Sequence, residues 1–153
     1  MLAPNWYHVN MWLHLVAVSL WLGMTVNFSM MTMPLLRDLP RKQAEQQLTA
    51  IGHRARRYVT ILMLVILATG IVNLHRVGLL TKVAGWGSAY GITAGVKVGL
   101  AMLLFVGFPV AFVVVHRYGS SDFESRINRM NQLHWAISVV TLVIMFLGVV
   151  MRG

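Results

Sequence analysis

The chain has 153 residues, of which 58% are hydrophobic and 11% charged, and its 13 Lys and Arg against 4 acids give a formal charge of +9. So apolar a composition describes one small integral membrane unit and excludes a soluble domain. The positive balance then orients the chain and meets anionic lipid, and does not indicate nucleic acid. The absence of cysteine excludes disulfides, thiolate metal sites and cysteine nucleophiles.

The first apolar run spans 9–34. Between Met11 and Met33 it holds no acid, Lys or Arg, and it is long enough to cross a hydrocarbon core of about 30 Å as a helix. Met1-Leu-Ala-Pro has no basic n-region and the run is too long for a signal h-region, so it reads as an uncleaved span. Within it lie His14 and Trp21. A polar ring nitrogen inside hydrocarbon is costly unless something binds it, so what His14 faces is the central question of the chain. Met24, Met30, Met31 and Met33 follow towards the other end of the run. Thioethers suit Cu(I), and methionine is equally ordinary apolar filling.

The link 35–56 is rich in helix formers after Pro40, which can open a helix. Ala44, Leu48, Ile51 and Ala55 share a face at helical spacing. This predicts an amphipathic cytoplasmic stub, 41–56, extending the second span, 57–77. The third span, 90–116, carries Gly91, Gly95 and Gly99 four residues apart, a spacing that lets a helix approach closely, inside the bundle or across a homodimer seam. It also holds Lys97. Its ammonium either snorkels to the interface or faces the bundle and meets an anion. The fourth span, 129–151, contains His134.

Links 78–89 and 117–128 are short, which predicts an all-α, antiparallel, up-down four-helix bundle. Arg37, Arg41, Lys42, Arg54, Arg56 and Arg57 in the first link, with Arg117, Arg126 and Arg129 around the third, face only Arg76 and Lys82 around the second. Basic residues stay in the cytoplasm, so both termini are expected on the outer side, periplasmic in a bacterial host, in a multi-pass protein of the cytoplasmic membrane. Trp6, Tyr7, Trp12, Trp86 and Tyr90 would form the outer aromatic belt, and Tyr58, Tyr118 and Trp135 the inner one.

Depth along each span sorts the six histidines. At about 1.5 Å per residue, His14 and His75 both sit roughly 12–15 Å above the bilayer centre on neighbouring antiparallel helices. That matched height is what two axial ligands to one metal or haem iron require. Lys97 falls at a similar height. His134 lies roughly 12 Å below centre, with His116 at the inner boundary and His53 on the stub as its nearest companions. His8 sits at the outer boundary as an interfacial residue. No acid lies in a span, and no Ser-His-Asp set or phosphate-binding glycine loop is visible. Hydrolases and carboxylate proton relays are therefore excluded.

Several segments resemble known families. Trp12-Leu13-His14-Leu15 followed by Leu20-Trp21-Leu22-Gly23 resembles the first helix of the copper-resistance D (CopD) membrane domain. It is also similar to that of the HemJ-type protoporphyrinogen oxidases, where a His precedes a Trp by seven positions. Arg56-Arg57-Tyr58 leading to Ala68-Thr69-Gly70 resembles the second helix of both, and Tyr90-Gly91 followed by Lys97 their third. The run from Arg126 through Asn131 and Gln132 resembles the start of the HemJ-type fourth helix, with Gln132 where Glu is usual. The HemJ pattern's Pro in the second helix is missing, and Phe108 stands where its third-helix His would be. The resemblance covers most of the chain. It implies a four-helix protein binding b-type haem, with His14 and Lys97 at the positions that matter, or in the CopD case copper passage.

These readings converge on a b-type haem protein exchanging electrons with a quinone or another redox protein, or acting as a haem-dependent oxidase. His14 and His75 would be axial ligands, Lys97 would neutralise a propionate, and a second, inner haem would use His134 with His116 or His53. The alternative is a copper transport or resistance protein using His and Met.

Overall fold

The computed structural model describes residues 5–76, 87–118 and 122–150, without the side chains of Phe108 and of 111–118. These residues are almost entirely helical: α1 (Trp6–Asn27), a π-helical turn (Phe28–Thr32), α2 (Met33–Arg37), α3 (Arg41–Arg76), α4 (Ala89–Tyr118) and α5 (Phe123–Val150). α1, the π turn and α2 follow without a break from Trp6 to Arg37. That segment, α3, α5 and the Ala89–Gly107 part of α4 are each long and apolar enough to cross a membrane.

Local chemistry sets the helix starts. The Asn5 side chain accepts from the Tyr7 N–H, and the Ser88 hydroxyl oxygen accepts from the Gly91 N–H. The Pro40 carbonyl takes the Gln43 and Ala44 N–H groups, so α3 begins directly after it. At 36 residues α3 is about 54 Å long, well beyond the roughly 30 Å that a membrane core needs. Its first turns are the expected amphipathic stub. Ala44 is buried and Leu48, Ile51 and Ala55 are half-buried, while Gln43, Gln46, Gln47 and Arg54 are exposed.

The start of α5 is capped by Asp122. Its Oδ2 accepts from the Ser125 hydroxyl at 2.9 Å and from the Ser125 N–H at 3.1 Å. The hydroxyl bond, then the N–H bond, hold this carboxyl below its usual value against a smaller opposing effect of burial, with the least help from the Glu124 N–H and the Arg41 charge. A depressed folded pKa means that the cap's contribution is present above the unfolded pKa, roughly 3.9, and is lost as pH falls through the folded value. The protection of the Ser125 and Arg126 amides, measured as exchange relative to the intrinsic rate at each pH, should therefore fall on acidification below about pH 4. Asp122→Ala should already show the lowered protection at neutral pH.

α1 packs between α3 and α5, and α4 packs on α5. A tight apolar core lies at the end of the bundle marked by the α2–α3 turn. It is built from Met33, Leu36, Ala44, Phe123, Ile127 and Met130, with Phe28 and Leu48 against it.

The π turn has two causes. The buried positions Ala17, Trp21, Thr25, Ser29 and Met33 recur every four residues. On an α-helix each four-residue step drifts by about 40°, so a stretch of slower winding keeps these residues on one line. Pro34 supplies the second cause. Its ring would clash with the Met30 carbonyl four residues back in a regular helix. Here the chain widens immediately before it, and the Met33 N–H bonds the Phe28 carbonyl instead.

The three glycines of α4 do not form one packed line. Gly91 is buried and Gly95 half-buried, whereas Gly99 is exposed, with nothing within 4 Å of where a Cβ would stand.

Candidate functional site

The seam between α1 and α3 is polar in an otherwise apolar pair of helices. The Arg76 guanidinium lies 3.6 Å from the centre of the Tyr7 ring. One turn on, the Asn10 amide donates to Asn73 Oδ1 at 2.9 Å and to the Thr69 carbonyl at 3.2 Å. The next turn brings His14, whose Nδ1 is 2.8 Å from Thr69 Oγ1.

Thr69 settles which tautomer His14 adopts. Its single hydroxyl proton goes to the Val65 carbonyl at 2.6 Å. The hydroxyl oxygen is then an acceptor, so His14 Nδ1 carries a proton, and in the neutral ring Nε2 carries the lone pair. A hydrogen bond on the far ring nitrogen that fixes tautomer and orientation is the usual support of a metal-ligating imidazole. The next residue, Gly70, lies beside the ring: a Cβ there would stand 3.6 Å from His14 Cε1, an ordinary packing contact.

Lys97 belongs to α4, the helix that packs on α5, and is half-buried. Its Nζ would be 2.9 Å from a Cβ placed on Gly148, and its charge acts on the His14 ring.

Not every expected residue joins this group. His75 is exposed, because α3 turns Thr69, Asn73 and Arg76 towards α1 instead. His8 is exposed with its ring 5.7 Å from that of Tyr7, and His53 is exposed on the stub. The His116 side chain lies outside the described residues.

His134 belongs to a second seam, between α1 and α5. Its Nδ1–H donates to the Met130 carbonyl at 2.8 Å, and its ring centre is 4.2 Å from that of Phe28 in the π turn. One turn along α5, the Ser138 hydroxyl lies within hydrogen-bonding distance of Thr25 Oγ1, 3.0 Å, and of the His134 carbonyl, 2.9 Å. Ser138 is 1% exposed, so the two helices pack directly at this small-residue contact, with the hydroxyls satisfied locally. The Ser29 hydroxyl, also buried here, has no partner among the described residues.

A cleft of about 570 Å³ lies elsewhere, at the α2–α3 end, lined by Arg37, Arg41, Asp122, Phe123, Ile127 and Asn128 among others. Its cations are already engaged, Arg37 by Asn128 and Arg41 by Glu45, so it is a charge-balanced rim rather than a rival site. Among the described residues no three His, Cys, Asp or Glu come together as a metal-ion cage.

No family model, curated protein or solved structure matches the chain.

Reasoning from residues reached His14 and Lys97 but not their supports. Thr69 and Gly70 entered only through the family resemblance, and Gly148 did not enter at all. The one signal for them was a small or hydroxylated residue in a run of large aliphatic ones.

Proposed function

We propose that the chain is a b-type haem-binding protein of the cytoplasmic membrane that passes electrons to or from a quinone or a redox protein. The observation that carries this reading is the His14–Thr69 bond. It orients the imidazole through Nδ1 and leaves Nε2 as the lone-pair donor of the neutral ring, in a seam also reached by a lysine charge. Haem brings four of its iron's ligands with it, so one well-supported imidazole is enough to hold it, whereas a copper or zinc ion would draw on several side chains. Lys97 would neutralise a propionate. Haem, when bound, supplies reversible one-electron chemistry. The chain's own residues orient the ligand and balance charge in a site with few other polar groups. The resemblance to HemJ-type oxidases points to the same two residues, and a haem-dependent oxidation is the enzymatic form of this reading. His134, with Nδ1–H on a carbonyl, has the chemistry of an axial ligand to a second, inner haem.

The alternative, copper handling through methionine, gains less support. Met30 and Met31 are 61% and 63% exposed, while Met33 is fully buried in the apolar core, so the thioethers diverge. A pyridine haemochrome assay on protein expressed with added haem tests the proposal. About one haem per chain is expected. None at all, with copper present, would replace this reading by the copper one.

The same proposal sets the chain antiparallel with both termini outside. Support comes from paired contacts in which one number rises as the other falls. Tyr7 meets Arg76, Asn10 meets Asn73 and His14 meets Thr69. Thr25 meets Ser138, Phe28 meets His134 and Arg37 meets Asn128. The basic residues gather at the α2–α3 end, the cytoplasmic end by the positive-inside rule. A reporter active only in the cytoplasm should be silent when fused after Gly153 and active when inserted between Asp38 and Leu39. The reverse pattern would invert the topology.

A further inference from the structure

We propose that Gly148 is a positioning residue: its missing side chain is a notch through which the Lys97 ammonium crosses α5 and is held in the seam facing α1 rather than at the membrane surface. The inference deepens the haem reading, because it explains how a cation from α4 reaches a site built on α1 and α3.

The geometry runs as a single line along α5. His134 and Ser138 face α1, meeting Phe28 and Thr25. Steps of three and four residues continue that face through the buried Thr141 to Met145 and Gly148. Lys97 belongs to α4, whose packing partner is α5. Yet its Nζ lies against the position where a Gly148 side chain would begin, 2.9 Å from an ideal Cβ, with Cε at 3.7 Å. A contact of 2.9 Å is shorter than real Cβ atoms make, so any side chain at 148 must displace the ammonium. A lysine stem is long and flexible, and the route open to it on displacement leads to the interface, where water solvates the charge. Glycine at 148 therefore decides between a lysine that serves the seam and a lysine that snorkels. The ligand class that such a half-buried cation favours is an apolar body bearing a carboxylate, which haem and its propionates exemplify.

The chain has three lysines, Lys42, Lys82 and Lys97, so protein labelled with ¹³C at the lysine ε-carbon gives three resonances. Lys97→Met assigns the third by its loss. With a water-soluble gadolinium chelate added to the protein in nanodiscs, the Lys97 line should keep its width in the wild type. It should broaden several-fold in Gly148→Leu and to an intermediate degree in Gly148→Ala. The smaller alanine variant decides the matter if the leucine variant does not fold. On the haem side, Gly148→Leu should lower haem retention as much as Lys97→Met does, and the double variant should lose no more than either alone. A Lys97 line as broadened as that of Lys42 in the wild type, or unmoved by both substitutions, would overturn the notch. The resonance readout needs no haem. A wild type that binds none would end the haem reading and leave the notch standing.

Discussion

His14→Ala is expected to leave the purified protein without haem, while His75→Ala keeps both its haem and its spectrum. The two histidines have similar depth, so a reading based on height alone predicts the same loss from either. The structure separates them. His14 has its tautomer set by a hydroxyl whose own proton is already committed to the Val65 carbonyl. His75 is exposed on another side of α3. A haem held by His14 without His75 would keep one coordination position for a weaker or exchangeable ligand and should bind carbon monoxide readily in the ferrous state, unlike a bis-imidazole haem. Thr69→Val removes the acceptor and preserves bulk. By analogy with other supports of metal-ligating histidines, it should weaken retention about 10–100-fold, and Thr69→Ser should restore it. Equal loss from His14→Ala and His75→Ala, or a six-coordinate spectrum indifferent to carbon monoxide, would reinstate the paired-histidine site.

The contrast between these histidines shows which parts of the molecule were legible beforehand. Four apolar runs gave four helices because the length needed to cross hydrocarbon leaves a strong one-dimensional signal. The start of α3 after Pro40 was equally plain, as was the stub face of Ala44, Leu48, Ile51 and Ala55. Depth, also one-dimensional, placed His14 and Lys97. What depth does not give is azimuth. At about 100° per residue, Thr69, Asn73 and Arg76 fall within roughly 60° of one another, while His75 lies about 240° round from Thr69. A helix that is apolar on every side offers no amphipathic stripe from which that phase can be read. Here the phase is set by the few hydroxyl, amide and aromatic groups that find partners across the seam, from Tyr7 to His14. The π turn was invisible for a related reason. Four-residue spacing from Ala17 to Met33 reads as ordinary helix until the drift is summed over several turns, and Pro34 alone does not say how the chain accommodates it.

Met33→Ala should be the most destabilising of the methionine substitutions, and Met30→Ala and Met31→Ala should be nearly silent. Met33 is fully buried, with Leu36, Ala44, Phe123, Ile127 and Met130 in the same core, where α2, the start of α3 and the start of α5 meet. Truncating it leaves a cavity that three helix ends must close, at a cost of about 2–5 kcal/mol. The loss is mainly of packing contacts, which hold membrane helices together where lipid is as apolar as the core. Met30 and Met31 lie on the outer side of the π turn, and their loss should stay within about 0.5 kcal/mol. Unfolding in mixed micelles, followed by the loss of helical signal against denaturing detergent, measures all three. Ala44 offers an independent check on the same core. It is fully buried where α3 approaches its neighbours, so Ala44→Leu should overpack the site and destabilise by about 1–3 kcal/mol. The copper reading makes the opposite forecast for the methionines, with Met30→Ala and Met33→Ala both lowering bound metal whatever their effect on stability. If Met33→Ala unfolds as readily as Met30→Ala, the core is not where the end of the bundle is held. If Met30→Ala sheds copper from a stable protein, the thioethers are ligands.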